Sequence, residues 1–193
     1  KMLMTKEKFC EKYNLDPTRI LVGPGSDRII NWIMRSWVAP GDEIVYSEHG
    51  FQTYRIRAIT SGATALAAPE TAMKTDIEGV LNTITDKTKI VFIANPNNPT
   101  GTYLTLDEVT ELRTRLRSNI LLVMDEAYSE YVDRADYGSA IELVDSHGEN
   151  TIVTRTFSKF FGMAGIRAGW AYAPAWTLGA LSRVRGPFSI STI

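Results

Sequence analysis

The sequence predicts an α/β domain in which a mostly parallel β-sheet carries helices on both faces. Short apolar runs rich in β-branched residues alternate with longer segments of helical periodicity along the 193 residues, the pattern of successive strand–helix–strand units. Two of the runs, Ile90–Ala94 and Ile120–Met124, are apolar at every position, as in strands buried on both faces. Turn-forming clusters separate the segments, and no repeat or linker interrupts them, so we expect one domain.

The individual elements follow from these runs in chain order. Strands are predicted at Ile20–Val22, Glu43–Ser47, Ala63–Ala68, Ile90–Ala94, Ile120–Met124, Thr151–Arg155 and Ala168–Ala173. Helices are predicted at Asp27–Val38, Phe51–Thr60, Asp76–Leu81, Thr105–Arg117 and Ala175–Arg185. Thr105 followed by Glu108 is typical of a capping box. In sheets of this kind ligands bind beyond the carboxyl ends of the strands, so the residues after each apolar run are the candidate site.

The composition excludes several classes of protein. Apolar residues make up 44% and charged residues 22%, and the formal net charge is −1, whereas a nucleic-acid-binding domain is usually basic. The longest apolar run, Ile120–Met124, is too short to cross a bilayer, and we find no signal peptide. The single cysteine, Cys10, excludes an internal disulfide and fits a reducing compartment, so we expect a cytoplasmic protein.

The turn after the first strand is a candidate phosphate site. Gly23 and Gly25 permit a tight turn, and the helix that starts near Ser26 and Asp27 presents free N–H groups that attract phosphate. The alternative is an ordinary glycine turn in which Ser26 or Asp27 caps the helix.

Amides and carboxylates follow the two most apolar strands. The run Asn95-Pro96-Asn97-Asn98-Pro99-Thr100-Gly101 predicts a rigid polar loop; a plain turn is the alternative, although it leaves the amides unexplained. Asp125 comes directly after five apolar residues, so its carboxylate should be partly desolvated and needs a cationic or hydrogen-bonding partner. Alternatively, Asp125 or Glu126 caps the next segment.

A lysine follows the sixth strand among aromatic residues. Lys159 in such a setting can act as an amine nucleophile, and Thr156, Ser158 and Arg167 offer an anion site. A lysine whose ammonium reaches solvent, or a structural ion pair, is the alternative. Together the strand ends supply a lysine, a carboxylate, amide donors and an anion site, which are the groups that pyridoxal phosphate requires.

These motifs in their order resemble the fold-type I pyridoxal-phosphate aminotransferases, and among them the histidinol-phosphate aminotransferase family. The resemblance covers nearly the whole chain and, in order, rests on Gly25–Asp27, Pro40–Glu43, Ala94–Thr102, Asp125–Tyr128, Arg155–Lys159, Gly162, Ala164–Gly169 and Arg183–Phe188.

The resemblance implies a role for each matching residue. Lys159 would bond the cofactor aldehyde and move the substrate proton, and Asp125 would hold the pyridine nitrogen protonated. Tyr128 and Asn98 would hydrogen-bond the phenolate oxygen, and Phe51 would stack on the ring. The residues expected at the phosphate are Ser26, Asp27, Thr156, Ser158 and Arg167.

The resemblance also implies which part of the enzyme this chain represents. It corresponds to the cofactor-binding large domain, residues 1–193, truncated at both ends and without the small C-terminal domain, so we expect it to be inactive alone; the start at Lys1 and the end at Ile193 without a helix stop signal agree. The implied reaction moves an amino group between histidinol phosphate, or an aromatic amino acid, and 2-oxoglutarate in a homodimer. A decarboxylase of a phosphorylated amino acid and a non-catalytic fragment are the alternatives; no metal, membrane or nucleic-acid partner is expected.

Two segments differ from the sequence that is usual in this family. Arg28 stands where the family usually has an acidic residue. Ser47–Phe51 replaces the commoner Pro-Thr-Phe sequence, and within it we expect His49 to be a loop residue rather than an acid or base.

Overall fold

The computed structural model describes residues 6–146 and 150–187. Its strands are β1 (Ile20–Gly23), β2 (Glu43–Ser47), β3 (Thr64–Ala68), β4 (Glu70–Thr71), β5 (Lys74–Thr75), β6 (Thr88–Ala94), β7 (Leu121–Asp125), β8 (Thr151–Thr156) and β9 (Gly169–Tyr172). Its α-helices are α1 (Lys6–Tyr13), α2 (Ser26–Trp37), α3 (Thr53–Thr60), α4 (Ile77–Thr83), α5 (Leu106–Arg115), α6 (Ile141–Ser146) and α7 (Ala175–Val184). The predictions that concern Lys1 and Phe188–Ile193 lie outside the described residues.

Every predicted strand and helix corresponds to an observed one, with ends that differ by two residues or fewer. The capping box is also confirmed, since the Thr105 hydroxyl accepts from the Glu108 N–H and the Glu108 carboxylate accepts from the Thr105 N–H. The sequence did not predict α1, α6 or the β4–β5 hairpin. The hairpin strands have only two residues each, which is too short for hydrophobic periodicity to reveal them.

Seven strands form one sheet in the order β1-β9-β8-β7-β6-β2-β3. Neighbours from β8 to β3 are parallel, and only β9 runs against both of its neighbours, β1 and β8. The mostly parallel sheet is therefore confirmed. Because β1 points the same way as β8, the carboxyl ends of β1, β2, β6, β7 and β8 meet at one edge.

Helices cover both faces of this sheet, as the sequence predicted. On one face Val91, Ile93 and Leu122 pack with residues of α1, α5 and α6. On the other face Ile90 and Phe92 pack with residues of α2, α3 and α7. Alternate residues of β6 thus face opposite cores, which is why this strand is apolar throughout.

Strand register sets the positions of the polar residues at the carboxyl edge. Asp125 at the end of β7 lies opposite Ala94 of β6 and Thr154 of β8. Gly169 lies opposite both Gly23 and Thr156, and a Cβ at Gly169 would come within 2.8 Å of the Ser26 nitrogen. The missing side chain therefore lets β9 approach the start of α2. No helix in the part of the chain that the structure describes is long and apolar enough to span a membrane.

Candidate functional site

One cleft at the carboxyl edge of the sheet contains every residue that the sequence predicted for the site. The cleft has a volume of about 200 Å³, and its remaining walls are Ala94, Pro96 and Ala127. The predicted residues that line it are Ser26, Asp27, Phe51, Asn98, Asp125, Tyr128, Thr156, Ser158, Lys159 and Arg167. Separate loops and strand ends contribute these side chains, so the fold brings together what the sequence keeps far apart.

The β1–α2 turn leaves the start of α2 open toward the cleft. Gly25 occupies the capping position with φ +90°, and no side chain caps the helix, so the alternative in which Ser26 or Asp27 caps α2 is wrong. The Asp27 carboxylate accepts instead from the Arg57 guanidinium at 3.0 and 3.2 Å. The first N–H groups of a twelve-residue helix thus remain available to an anion.

Arg167 faces this helix start from the opposite wall. Its Nη1 donates to the Ser158 hydroxyl at 3.2 Å and to the Ala164 carbonyl at 3.0 Å. A Cβ on Gly25 would stand only 2.6 Å from Arg167 Nη2, so the guanidinium lies directly against the turn. The Thr156 hydroxyl accepts from the Ser158 N–H at 3.1 Å and bonds to its hydroxyl at 3.0 Å. A cation, a helix start and two hydroxyls therefore surround one position.

Asp125 forms the floor of the cleft and is 4% exposed. Its carboxylate accepts from the Tyr54 hydroxyl and the Thr154 hydroxyl, each at 3.0 Å, and the structure shows no ion pair for it among the described residues. Burial raises the pKa of Asp125 to about 6, although both hydroxyl donors oppose the rise. The expected desolvation is confirmed, with hydroxyls rather than a cation as protein partners.

Sequence reasoning missed Tyr54 and Thr154. Tyr54 is fully buried on α3, where burial raises the pKa of its phenol well above the usual range and keeps it a donor. Its ring stacks on Phe92 with centroids 4.7 Å apart. Tyr54 is 71 residues from Asp125 and carries no motif, so only the packing of α3 on the sheet reveals the contact.

Lys159 and Tyr128 lie together at the mouth of the cleft. The Lys159 ammonium stands 5.3 Å from the centre of the Tyr128 ring, and the Lys159 side chain is exposed. Asn98 Nδ2 donates to the Tyr128 hydroxyl at 3.4 Å. The amine, phenol and amide thus form one polar group above the buried carboxyl.

Phe51 supplies the aromatic wall. It lies in the β2–α3 turn, residues 48–52, and meets Tyr54 edge to face, with ring centroids 5.8 Å apart and planes at 88°. Phe51 is half-buried, so part of its ring is open to the cleft.

Glu126, the residue after Asp125, has a structural role. Its fully buried carboxylate pairs with Arg155 Nη2 at 2.7 Å and accepts from the Ala140 N–H, just before α6, at 2.7 Å. The short 3-10 helix that follows, Ser129–Tyr131, has Tyr128 at its N-cap and no side-chain cap, so the alternative in which Asp125 or Glu126 caps the next segment is wrong for both residues.

Of the two segments that differ from the usual family sequence, Arg28 and residues 47–50 lie outside the cleft lining, whereas Phe51 is part of it. Arg28 is exposed on the first turn of α2. His49 bonds through Nδ1 to the Glu70 carboxylate at 3.0 Å, which agrees with its expected place in a loop.

Comparison with known proteins places this fold and cleft in a known class. The structure superposes on a histidinol-phosphate aminotransferase from Sinorhizobium meliloti, solved in complex with pyridoxal-5'-phosphate, with a TM-score of 0.90 at 30% identity, over 96% of this chain and 50% of that one. A structure described as a putative histidinol-phosphate aminotransferase from Erwinia carotovora gives 0.89 at 26% identity, over 96% and 55% of the two chains. The fold is thus that of pyridoxal-phosphate-dependent aminotransferases.

The sequence comparisons give the family. Residues 3–193 match the family model for class I and II aminotransferases, and the chain belongs to that family. A histidinol-phosphate aminotransferase from Paramagnetospirillum magneticum is 49% identical over 179 residues, 93% of this chain and 49% of the relative. One from Rhodopseudomonas palustris strain HaA2 is 47% identical over 186 residues, 96% of this chain and 51% of the relative. The chain therefore spans about half the length of the curated relatives it matches.

Proposed function

We propose that this chain binds pyridoxal phosphate and forms the cofactor-binding part of an aminotransferase that acts on histidinol phosphate. The names of the relatives at 47% and 49% identity support the substrate, and the ten predicted residues in the cleft support the cofactor. The single observation that carries the proposal is Asp125, a carboxyl enclosed by the fold, in the same cleft as Lys159.

The chemistry of the cleft fits a phosphate at one end. The open start of α2, the Arg167 guanidinium and the hydroxyls of Thr156 and Ser158 all offer hydrogen-bond donors to one position. A dianionic phosphate satisfies these donors and compensates the cation.

The floor of the cleft fits a protonated ring nitrogen. A buried carboxylate with two hydroxyl donors and no cation remains incompletely compensated, and Asp125 would therefore hold a protonated ring nitrogen as its positive partner. In return, the Asp125 carboxylate would keep that nitrogen protonated. Pyridoxal phosphate supplies, when bound, a ring that accepts the electron pair left when the substrate α-carbon loses its proton.

The residues at the mouth of the cleft would transfer the substrate proton and orient the cofactor ring. The Lys159 amine would hold the cofactor aldehyde when no substrate is present and, once released, would carry the proton to and from the α-carbon. Tyr128 and Asn98 would donate hydrogen bonds to the ring hydroxyl, and Phe51 would cover one ring face and exclude water from it.

The remaining features of the proposal concern the complete protein. We infer a 2-oxo acid as amino acceptor, with 2-oxoglutarate as the specific candidate, a homodimeric assembly and a cytoplasmic location. The class I and II family supports the 2-oxo acid, whereas the dimer and the location follow from the resemblance and the composition.

Covalent trapping tests the proposal. The complete protein is incubated with pyridoxal phosphate, reduced with borohydride, digested and mapped by mass. We expect the label on Lys159 and its loss in Lys159→Ala, with Lys87→Ala, an exposed lysine outside the cleft, as the matched control. A folded protein, as judged by circular dichroism, that carries no label or spreads it over its lysines contradicts the proposal.

A further inference from the structure

The turn between β2 and α3 carries Phe51 into the cleft, and it has little regular structure of its own. Within the turn itself, the Gly50 N–H donates to the Ser47 carbonyl at 2.7 Å. The position of Phe51 therefore also depends on contacts that reach the turn from other parts of the chain.

Glu70 of the β4–β5 hairpin binds this turn at three atoms. Its Oε1 accepts from the Ser47 hydroxyl at 2.5 Å and from the His49 N–H at 3.1 Å, and its Oε2 lies 3.0 Å from His49 Nδ1. The Glu70 side chain is only 2% exposed, whereas that of His49 is 44% exposed. A carboxylate with so little water around it depends on these donors, so it holds the turn in one conformation.

The same hairpin is also bonded to the loop between β6 and α5, residues 95–105, which carries Asn98. The Thr75 hydroxyl donates to the Ser47 hydroxyl at 3.0 Å, and the Thr102 hydroxyl donates to the Met73 carbonyl at 2.8 Å. Asn97 Nδ2 also donates to the His49 carbonyl at 3.4 Å. The hairpin therefore fixes the loop that carries Phe51 relative to the loop that carries Asn98.

We propose that Glu70 is a positioning residue that sets the face of Phe51 against the cofactor ring through the β2–α3 turn. Glu70 itself does not line the cleft, so its effect passes through Ser47 and His49. This inference rests on the proposed function, because Phe51 needs a ring to face.

Three variants of the complete protein separate positioning from general stability. Glu70→Ala removes all three contacts, while Glu70→Gln keeps an oxygen for Ser47 and the His49 N–H and offers an amide to Nδ1. Glu48→Ala is the control, because Glu48 is exposed in the same turn and its side chain makes no hydrogen bond to any residue that the structure describes. The readouts are hydrogen exchange of residues 47–52 without cofactor, the affinity for pyridoxal phosphate, and the circular dichroism of the bound cofactor.

We expect Glu70→Ala to speed exchange in residues 47–52, to weaken cofactor binding about ten-fold, as loss of one or two hydrogen bonds gives, and to reduce the cofactor's dichroism at saturation. Glu70→Gln should stay within about three-fold of the natural protein in affinity. If Glu70→Ala matches Glu48→Ala in all three readouts, or if Glu70→Gln is as impaired as Glu70→Ala, the proposal is wrong. If the natural protein binds no cofactor, the proposed function fails instead, and with it the role of Glu70 toward a ring, while the exchange data still report whether Glu70 orders the turn.

Discussion

At the scale of single residues, the buried surroundings of Asp125 determine how the stability of the folded chain depends on pH. Two hydroxyls from different elements donate to it, yet desolvation still raises its pKa to about 6. The folded state without cofactor therefore binds a proton more tightly than the unfolded chain does. By linkage, the stability associated with that proton is complete below the ordinary aspartate pKa and is lost as the pH rises through about 6.

Asp125→Asn should remove this pH dependence. Without cofactor, the natural protein is expected to lose stability relative to the variant between about pH 4 and pH 6, by on the order of 3 kcal/mol, since one pKa unit is about 1.4 kcal/mol. Urea unfolding of both proteins across this range measures the difference. Parallel stability curves would show that the buried carboxyl does not titrate as described.

Tyr54→Phe tests the donor that the sequence did not reveal. Loss of a hydrogen bond that stabilises the carboxylate should raise the pKa of Asp125 further. Since a protonated pyridine prefers an ionised Asp125, cofactor affinity falls as the pH drops through that pKa, and the variant's midpoint should lie at higher pH. Cofactor titrations at several pH values measure it. Tyr103→Phe, which alters an exposed tyrosine–aspartate bond, should leave the midpoint unchanged.

At the scale of elements, the β1–α2 turn shows how backbone shape creates an anion site. The capping position is Gly25, with φ +90° and the Arg167 guanidinium directly beside it. A side chain here would both strain the backbone and push the guanidinium away from the start of α2. The glycine therefore serves the cleft as well as the turn.

Gly25→Ala and Gly41→Ala separate the effect of backbone strain from the effect of displacing the Arg167 guanidinium. Gly41 has φ +91°, and a methyl group at this position would have no neighbouring atom within 4 Å, so both variants should lose on the order of 1–3 kcal/mol of stability through backbone strain. Only Gly25→Ala should also weaken the binding of pyridoxal phosphate, by about ten-fold or more, as displacement of one charge-assisted contact gives. Chemical denaturation and cofactor titration provide the two measurements. Equal affinity in the two variants would contradict the anion site.

At the scale of the whole molecule, a buried ion pair ties the strands behind the cleft to α6. The Glu126 carboxylate on the β7 end is fully buried and meets Arg155 of β8 through Nη2 at 2.7 Å and Nε at 3.1 Å. Ser139 donates to the same carboxylate at 2.7 Å. Glu126 next to Asp125, Arg155 of β8 and Ser139 just before α6 thus belong to one hydrogen-bonded network.

Arg155→Ala should destabilise the whole domain. Removal of one partner leaves an uncompensated buried carboxylate, a change that typically costs about 3–5 kcal/mol. Arg115→Ala, which breaks an exposed pair with Glu78, should have a much smaller effect. Urea unfolding monitored by circular dichroism compares the two. A result in which both variants lose the same stability would show that the buried pair does not hold the domain together.

The sequence by itself determined the order of the elements and the residue types at the strand ends. Uninterrupted apolar runs marked β6 and β7 because both faces of a central strand are buried, and glycine, proline and asparagine marked the turns because they fix the backbone locally. Both signals depend on residues that are close together in the sequence. Together with the family resemblance, they sufficed to predict ten residues that line the cleft, although the roles of these residues toward a cofactor remain a proposal.

Only the tertiary structure decided the partners of those residues. Tyr54 on Asp125, Glu70 on His49 and Arg155 on Glu126 join positions that are 71, 21 and 29 residues apart. The sheet order β1-β9-β8-β7-β6-β2-β3 does not follow the chain, so no periodicity records which side chains meet. Each pair depends on how helices and hairpins pack over the sheet, because buried polar groups select partners by proximity in space.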